Sequence, residues 1–260
     1  MAVTGESLAY AVRLGGPLKD VFSTKARQLR SYIVVPTYLV DDAPTKRCSN
    51  AAILFGRTGE VIGIYRKMHL AVHTASDSLE DGATPGKDLP VFECDFGRLG
   101  IQICFDIEFD RGWDELARKG ADLVVWPTQS PQQAQPAFRA KRYGYYVVSS
   151  TWRHNASIFE PTGKIIAQIK PPEQVLVQEF DLSYAILPWS PNLKNGEAMS
   201  AKYGDKAGYR YYQDEDRGIF WSNDRNITIG QMIRSMGLAE ADLELERIKL
   251  LYRKSGVPGY

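Results

Sequence analysis

Gly100-Ile101-Gln102-Ile103-Cys104-Phe105-Asp106 decides how the rest of the chain is read, and Gly63-Ile64-Tyr65-Arg66-Lys67-Met68-His69-Leu70 is its companion. In each segment strand-favouring residues run abruptly into polar or turn-forming ones: Leu99, Ile101 and Ile103 in the first, Val61, Ile62 and Ile64 in the second. Each therefore predicts a strand that stops at a reactive group, and strand ends with their loops commonly present catalytic side chains. A free thiol is only about a few per cent thiolate at neutral pH, and a neighbouring ammonium raises that share. Cys104 with Lys67 reads as a nucleophile and its cation. Once the thiolate attacks a carbonyl or nitrile carbon, Lys67 and the backbone N–H of Phe105 would stabilise the developing negative charge. Singly, each residue has a plainer reading, because unpaired cysteines are mostly buried packing groups and strand-end lysines mostly solvated ones.

Working outward, further segments fall into an ordered series. Cys48-Ser49-Asn50-Ala51-Ala52-Ile53-Leu54-Phe55 reads as a strand, and Arg57-Thr58-Gly59-Glu60 as the turn toward the lysine. Glu80-Asp81-Gly82 and Pro85-Gly86 lie between lysine and cysteine, Gly120-Ala121-Asp122-Leu123-Val124-Val125-Trp126-Pro127 follows the cysteine, and Arg139-Ala140 sits in the next predicted helix. Taken in this order, the segments resemble the nitrilase superfamily of carbon–nitrogen hydrolases over roughly residues 17–182.

The resemblance implies a four-layer αββα sandwich, no cofactor, and a Glu-Lys-Cys triad in which Lys67 and Cys104 are two members. In relatives the glutamate stands in a Pro-Glu pair just before a segment similar to Met1-Ala2-Val3-Thr4-Gly5, so by that alignment the general base falls upstream of Met1. The family's opening strand, helix and second strand also have no counterpart, and truncation of a longer protein is the expectation. Glu6 is the one acidic residue near this end and reads as a helix-initiating or surface carboxylate. Glu80 stands where many relatives carry a second glutamate that orients the lysine or the substrate; the resemblance implies a carboxylate that keeps Lys67 charged and a partial substitute for the missing base, against the plainer reading of a solvated loop residue. Trp126, Gln129 and Trp152 fall where substrate-lining residues tend to lie in the family, although tryptophans are often core. After the cysteine, relatives continue toward Phe-Pro-Glu, whereas this chain has Phe109-Asp110-Arg111-Gly112-Trp113, so the loop that shapes the pocket differs.

Mixed strands and helices over 260 residues, with 44% hydrophobic and 24% charged, suffice for one large domain and an appendage. A net charge of +1 offers no electrostatic reason to expect nucleic acid or an anionic membrane as partner. No apolar run approaches the roughly 18 residues of a membrane span, and neither a basic nor an apolar leader region opens the chain. Three scattered cysteines argue against a disulfide framework and for a reducing, cytoplasmic compartment. His69 and His73 are four apart, but no His-Glu-x-x-His helix surrounds them, so no metal is expected.

The patterning predicts helices over 18–31, 113–119 and 131–143, and strands over 32–40, 91–95, 99–103, 121–125, 145–149, near 157, over 164–169 and over 175–180. Residues 1–182 form the expected hydrolase domain and 183–260 an extension, too polar and Tyr-rich for a core of its own. Within it Thr228 and Gln231 make a capping box for a helix ending near Gly237. A last helix over 240–254 carries Leu243, Ile248, Leu250 and Leu251, an apolar side that needs a partner: packing on the parent domain is the plain expectation, and because the family assembles through stacked sandwiches, a homo-oligomer in which this tail wraps a neighbour is the reading preferred. The expected chemistry is hydrolysis of a small amide, or a nitrile, through a Cys104 thioester. The rivals are a catalytically silent homologue acting as binding subunit or scaffold, and acyl transfer to an amine.

Overall fold

The structure, a computed structural model, describes residues 9–42, 47–73 and 78–258. Glu6 lies outside them. The chain divides into two compact units, Met1–Val177 and Gln178–Tyr260, the boundary falling five residues before the one expected.

The first unit opens with helix α1 (Pro17–Leu29), whose proline sits in the first turn, where a missing N–H costs nothing. It stops as Arg30 turns into the left-handed region at φ 48°. Three antiparallel strands follow, β1 (Ile33–Asp42), β2 (Arg47–Phe55) and β3 (Val61–Arg66), in the order β1-β2-β3. A short pair, β4 (Val72–His73) and β5 (Ser78–Leu79), then leads into a 3-10 turn, Glu80–Gly82. The second sheet comprises β6 (Val91–Cys94), β7 (Gly97–Ile101), β8 (Leu123–Pro127), β9 (Tyr146–Ser150), β10 (Ser157–Phe159) and β11 (Ile165–Gln168). Its order is β11-β10-β9-β8-β7-β6, with β7, β8 and β9 parallel and the flanking pairs antiparallel. Between its strands run α2 (Asp110–Arg118) and α3 (Ala134–Tyr143).

Alternation along each strand sorts the apolar side chains into layers. On β2, Ala51, Ile53 and Phe55 pack with Leu18, Phe22 and Ala26 of α1, while Ala52 and Leu54 turn the other way. Those two join Tyr65 of β3 against Leu99 and Ile101 of β7 and Val125 of β8, so the two sheets face each other. On the far side of the second sheet, Val124 and Trp126 of β8 and Val147 of β9 pack with Trp113 and Leu116 of α2 and Ala140 of α3. The result is the αββα sandwich.

Three local expectations shift. Helix α2 begins three residues earlier than patterning suggested and α3 three residues later, after Pro131 and the Gln132-Gln133 loop. No strand occupies 175–180, where Val175 and Val177 are exposed; β-propensity alone does not make a ladder.

The second unit corrects the view of a tail too polar for its own core. It contains β12 (Tyr184–Pro188), α4 (Glu197–Tyr203), β13 (Ala207–Tyr212), β14 (Arg217–Ser222), α5 (Ile229–Ser235) and α6 (Ala241–Lys254). The strands form a sheet in the order β12-β14-β13. Ala185, Leu187, Leu193, Met199, Phe220, Met232 and Ile233 make a buried cluster, with Tyr203, Tyr209 and Tyr211 packed against it. The Tyr209 and Phe220 rings stack with centroids 5.3 Å apart. Tyrosines contribute apolar ring area while keeping a polar tip, which a count of polar residues overlooks. Thr228 and Gln231 do form the capping box that starts α5.

Candidate active site

Lys67 follows directly on β3. Its N–H donates to the Asn50 carbonyl at 2.9 Å, which carries the β2–β3 pairing one residue further. Its side chain is 1% exposed, and Nζ lies 3.1 and 2.9 Å from the two oxygens of Glu80. Glu80 also accepts from Asn50 Nδ2 at 2.7 Å and from the Ala71 N–H at 3.3 Å. A buried ammonium needs such a partner, since an unpaired charge there costs several kcal/mol. Glu80 itself sits at φ 28°, a backbone conformation costing about 1–3 kcal/mol for a residue with a side chain. The Pro85-Gly86 step has a steric reason: Gly86 N–H donates to Lys67 O at 2.8 Å, and a Cβ there would lie 2.1 Å from Arg66 O.

Cys104 opens a 3-10 turn, Cys104–Glu108, separated from the end of β7 by Gln102 and Ile103. It too is left-handed, at φ 45°, so both the proposed nucleophile and the lysine's partner are held in strained backbone. Trp126 Nε1 donates to Cys104 O at 3.0 Å from within the core. Phe105 stands in the first turn of this 3-10 segment, where backbone N–H groups have no acceptor inside the helix.

Asp106, fully buried, touches both segments. Its Oδ2 accepts from Tyr65 Oη at 2.8 Å and from Ile103 N–H at 2.9 Å. Its Oδ1 accepts from His69 N–H at 3.0 Å and lies 2.9 Å from His69 Nδ1. Burial, together with the Asp106 charge, pushes the Tyr65 hydroxyl well above its ordinary pKa, so it stays a donor. Neither Asp106 nor Asn50 was picked out from the sequence as a site residue. Their common signal is position, each lying within the strand or turn that bears a predicted site group.

The other residues tied to substrate by resemblance lie in different settings. Trp126 is fully buried among Val124, Trp113 and Phe159, so its ring is a core group beneath the cysteine turn. Gln129 is exposed, and its carbonyl accepts from Arg153 Nε at 3.2 Å. Trp152 is 66% exposed under the Arg153 guanidinium. Next to the cysteine, His69 stacks on Phe109 at 3.9 Å and Phe105 meets Phe109 edge-on at 5.6 Å, giving a half-exposed aromatic group in the loop that departs from the family pattern. Gly112, in the first turn of α2, leaves room for Gln102, whose amide oxygen would lie 2.4 Å from a Cβ there. Arg139, buried, donates to Ile107 O at 2.8 Å and pairs with Asp110, fixing the junction between the cysteine turn and α2. Among the described residues no three His, Cys, Asp or Glu cluster as metal ligands.

The sequence pattern of carbon-nitrogen hydrolases matches residues 3–187. The chain belongs to the carbon-nitrogen hydrolase family. Within the family it is 27% identical over 203 residues to the omega-amidase NIT2 of Danio rerio, an alignment covering 70% of this chain and 72% of that protein. Among solved structures it resembles Saccharomyces cerevisiae Nit3, a nitrilase-superfamily member, with a TM-score of 0.56 and 22% identity over 64% of this chain and 66% of the other. The amidase of Nesterenkonia sp. AN1, solved with acrylamide added to its active site cysteine, gives a TM-score of 0.51 and 20% identity over 58% and 63% of the two chains. These two likenesses support the fold.

Proposed function

We propose that this protein hydrolyses a carbon–nitrogen bond of a small molecule, an amide in the first instance, through a thioester on Cys104. The observation that carries the reading is the buried Lys67–Glu80 pair at the end of β3, because a family member has little reason to bury an ammonium unless its charge is used. Membership of a family with amidase relatives supports it.

In this reading the Cys104 thiolate adds to the amide carbon. The carbonyl oxygen takes the negative charge beside Lys67 Nζ and the Phe105 N–H. Collapse breaks the carbon–nitrogen bond, and the amine or ammonia leaves with a proton. Water then adds to the thioester carbon and the carboxylic acid departs as the thiol is restored. Glu80 is an orienting carboxylate and not the base, since both of its oxygens are already engaged by Lys67, Asn50 and Ala71. General-base help with the water step is worth about 10²–10⁴-fold, so the supply of that base governs how long the acyl-enzyme persists.

Intact mass after incubation with a panel of small amides tests this. An adduct of acyl mass that disappears in Cys104→Ala, with ammonia released, is the expected result. No adduct from any amide would favour a binding or scaffold role.

The second unit is assigned to assembly. On α6, Leu243, Leu250 and Leu251 are exposed; Glu240, Asp242, Glu244 and Glu246 precede Arg247, Lys249, Arg253 and Lys254. Two copies packed antiparallel would bury the leucines and set each acidic half against a basic one, which supports a homo-oligomer. Sedimentation of a Leu243→Asp, Leu250→Asp variant should show a smaller particle; an unchanged one refutes the arrangement. Three free thiols fit a reducing compartment, and we place the protein in the cytoplasm on that ground.

A further inference from the structure

Asp106 joins the two arms of the site more directly than any other side chain described. Its donors on one arm, Tyr65 and His69, lie two residues either side of Lys67. Its donor on the other arm, the Ile103 N–H, immediately precedes Cys104, and its own N–H returns to Ile103 O at 3.0 Å. Trp113 Nε1 donates to Asp106 O at 2.9 Å, which anchors the carboxylate's backbone to α2 and the core. A carboxylate with 0% exposure is tolerated only when its oxygens are filled with donors, and here both arms supply them. Moving either arm therefore strands part of the charge. The same contacts extend to the loop after the cysteine, because the His69 ring held by Asp106 is stacked on Phe109.

We propose that Asp106 is the positioning residue of this site: its buried carboxylate, shared between Tyr65, His69 and Ile103, sets the register of the Lys67 strand end against the Cys104 turn. This rests on reading Cys104 as the nucleophile and Lys67 as its cation. Asp106 itself touches neither substrate nor thiol in this role; it acts through where it holds the lysine. The sign of its effect separates this from a direct one. Removing a nearby negative charge by itself favours the thiolate and speeds its reactions, and loosening the turn exposes the thiol with the same result. Losing the lysine's register disfavours the thiolate and slows them.

The test is the rate of Cys104 alkylation by iodoacetamide at neutral pH, read on the Cys104 peptide by mass spectrometry, for the full chain and for Asp106→Asn, Lys67→Met and the double variant. Asp106→Asn and Lys67→Met should each slow the reaction about tenfold, the order of change expected when an adjacent ammonium no longer stabilises the attacking sulfur. The double variant should be no slower than Lys67→Met alone, since Asp106 acts through the lysine. An unchanged or faster Asp106→Asn, or effects that multiply in the double variant, overturns the proposal while a slow Lys67→Met leaves the underlying reading standing. A Lys67→Met as fast as the parent refutes the reading of Lys67, and the proposal with it. Should Asp106→Asn lack the parent's circular dichroism, Tyr65→Phe replaces it, removing one tie at constant volume. A roughly twofold to threefold slowing that vanishes beside Lys67→Met is then expected, from one hydrogen bond in a shared network. No change in Tyr65→Phe overturns the proposal.

Discussion

Glu80→Gln removes one charge from the site and keeps its shape. Lys67 is 1% exposed and Glu80 12%, so the ammonium has almost no access to water once its partner is neutral. The glutamine amide also points its donor at Lys67 Nζ in either orientation, and with it at Asn50 Nδ2 or the Ala71 N–H, all of which need an acceptor. Breaking a buried pair from one side in this way costs about 3–5 kcal/mol. For a unit of this size each kcal/mol lowers Tm by roughly 2–4 °C, so the first unit should melt about 6–20 °C lower. Thermal unfolding followed by circular dichroism reads the shift. Lys67→Met should cost less, about 1–3 kcal/mol, because Glu80 keeps Asn50 and Ala71 as donors and some contact with solvent. The double variant should then be much more stable than the sum of the two losses predicts. A Glu80→Gln protein melting within about 2 °C of the parent would put the pair in the range of a surface ion pair and refute the role given to Glu80.

Trp126→Phe keeps a ring in the core but leaves Cys104 O without its 3.0 Å donor, so urea unfolding should report a loss of about 1–3 kcal/mol; no loss would mean that the strained turn does not depend on the indole. Burial, with Asp95 and Glu93 adding to it, pushes the Cys94 thiol up to about 11. Peptide mapping should therefore find Cys94 unalkylated at neutral pH while Cys104 reacts, and early labelling of Cys94 would contradict this. The hydrogen bond from Arg139, with its charge, holds the Asp110 carboxyl below the usual carboxylate range. Because the folded value is depressed, the stabilisation is present above about pH 4 and is lost as pH falls through the lower folded value. Thermal unfolding of Asp110→Asn should show a shallower acid-side loss of stability than the parent, and identical acid limbs would count against the Arg139 contact.

The αββα layering was expected from the resemblance, and the two-residue alternation of a strand then sorts its side chains: Ala51 and Ala52 are neighbours in the chain yet belong to different layers. Strand pairing is not local, which is why 175–180 suggested a strand that the folded chain does not form. The C-terminal core was missed for a related reason. Tyr203, Tyr209 and Tyr211 count as polar along the chain, and only the sheet that presses them on Phe220 and Met232 turns their rings inward.

At the site, residue chemistry suggested Cys104 and Lys67 as a nucleophile and its cation, each with a plainer reading on its own, and the ordered resemblance favoured the pair. Resemblance added Glu80. Which groups hold them was settled by chain crossings between segments distant in sequence: Asn50 and Glu80 meet over Lys67 because β2 pairs with β3 and the 80–82 turn folds back on them. Asp106 reaches Tyr65 and His69 only because the two sheets pack face to face. The chemical type of a side chain can be read one residue at a time, whereas its burial, its partners and the reactivity they tune depend on what the folded chain brings within hydrogen-bonding distance.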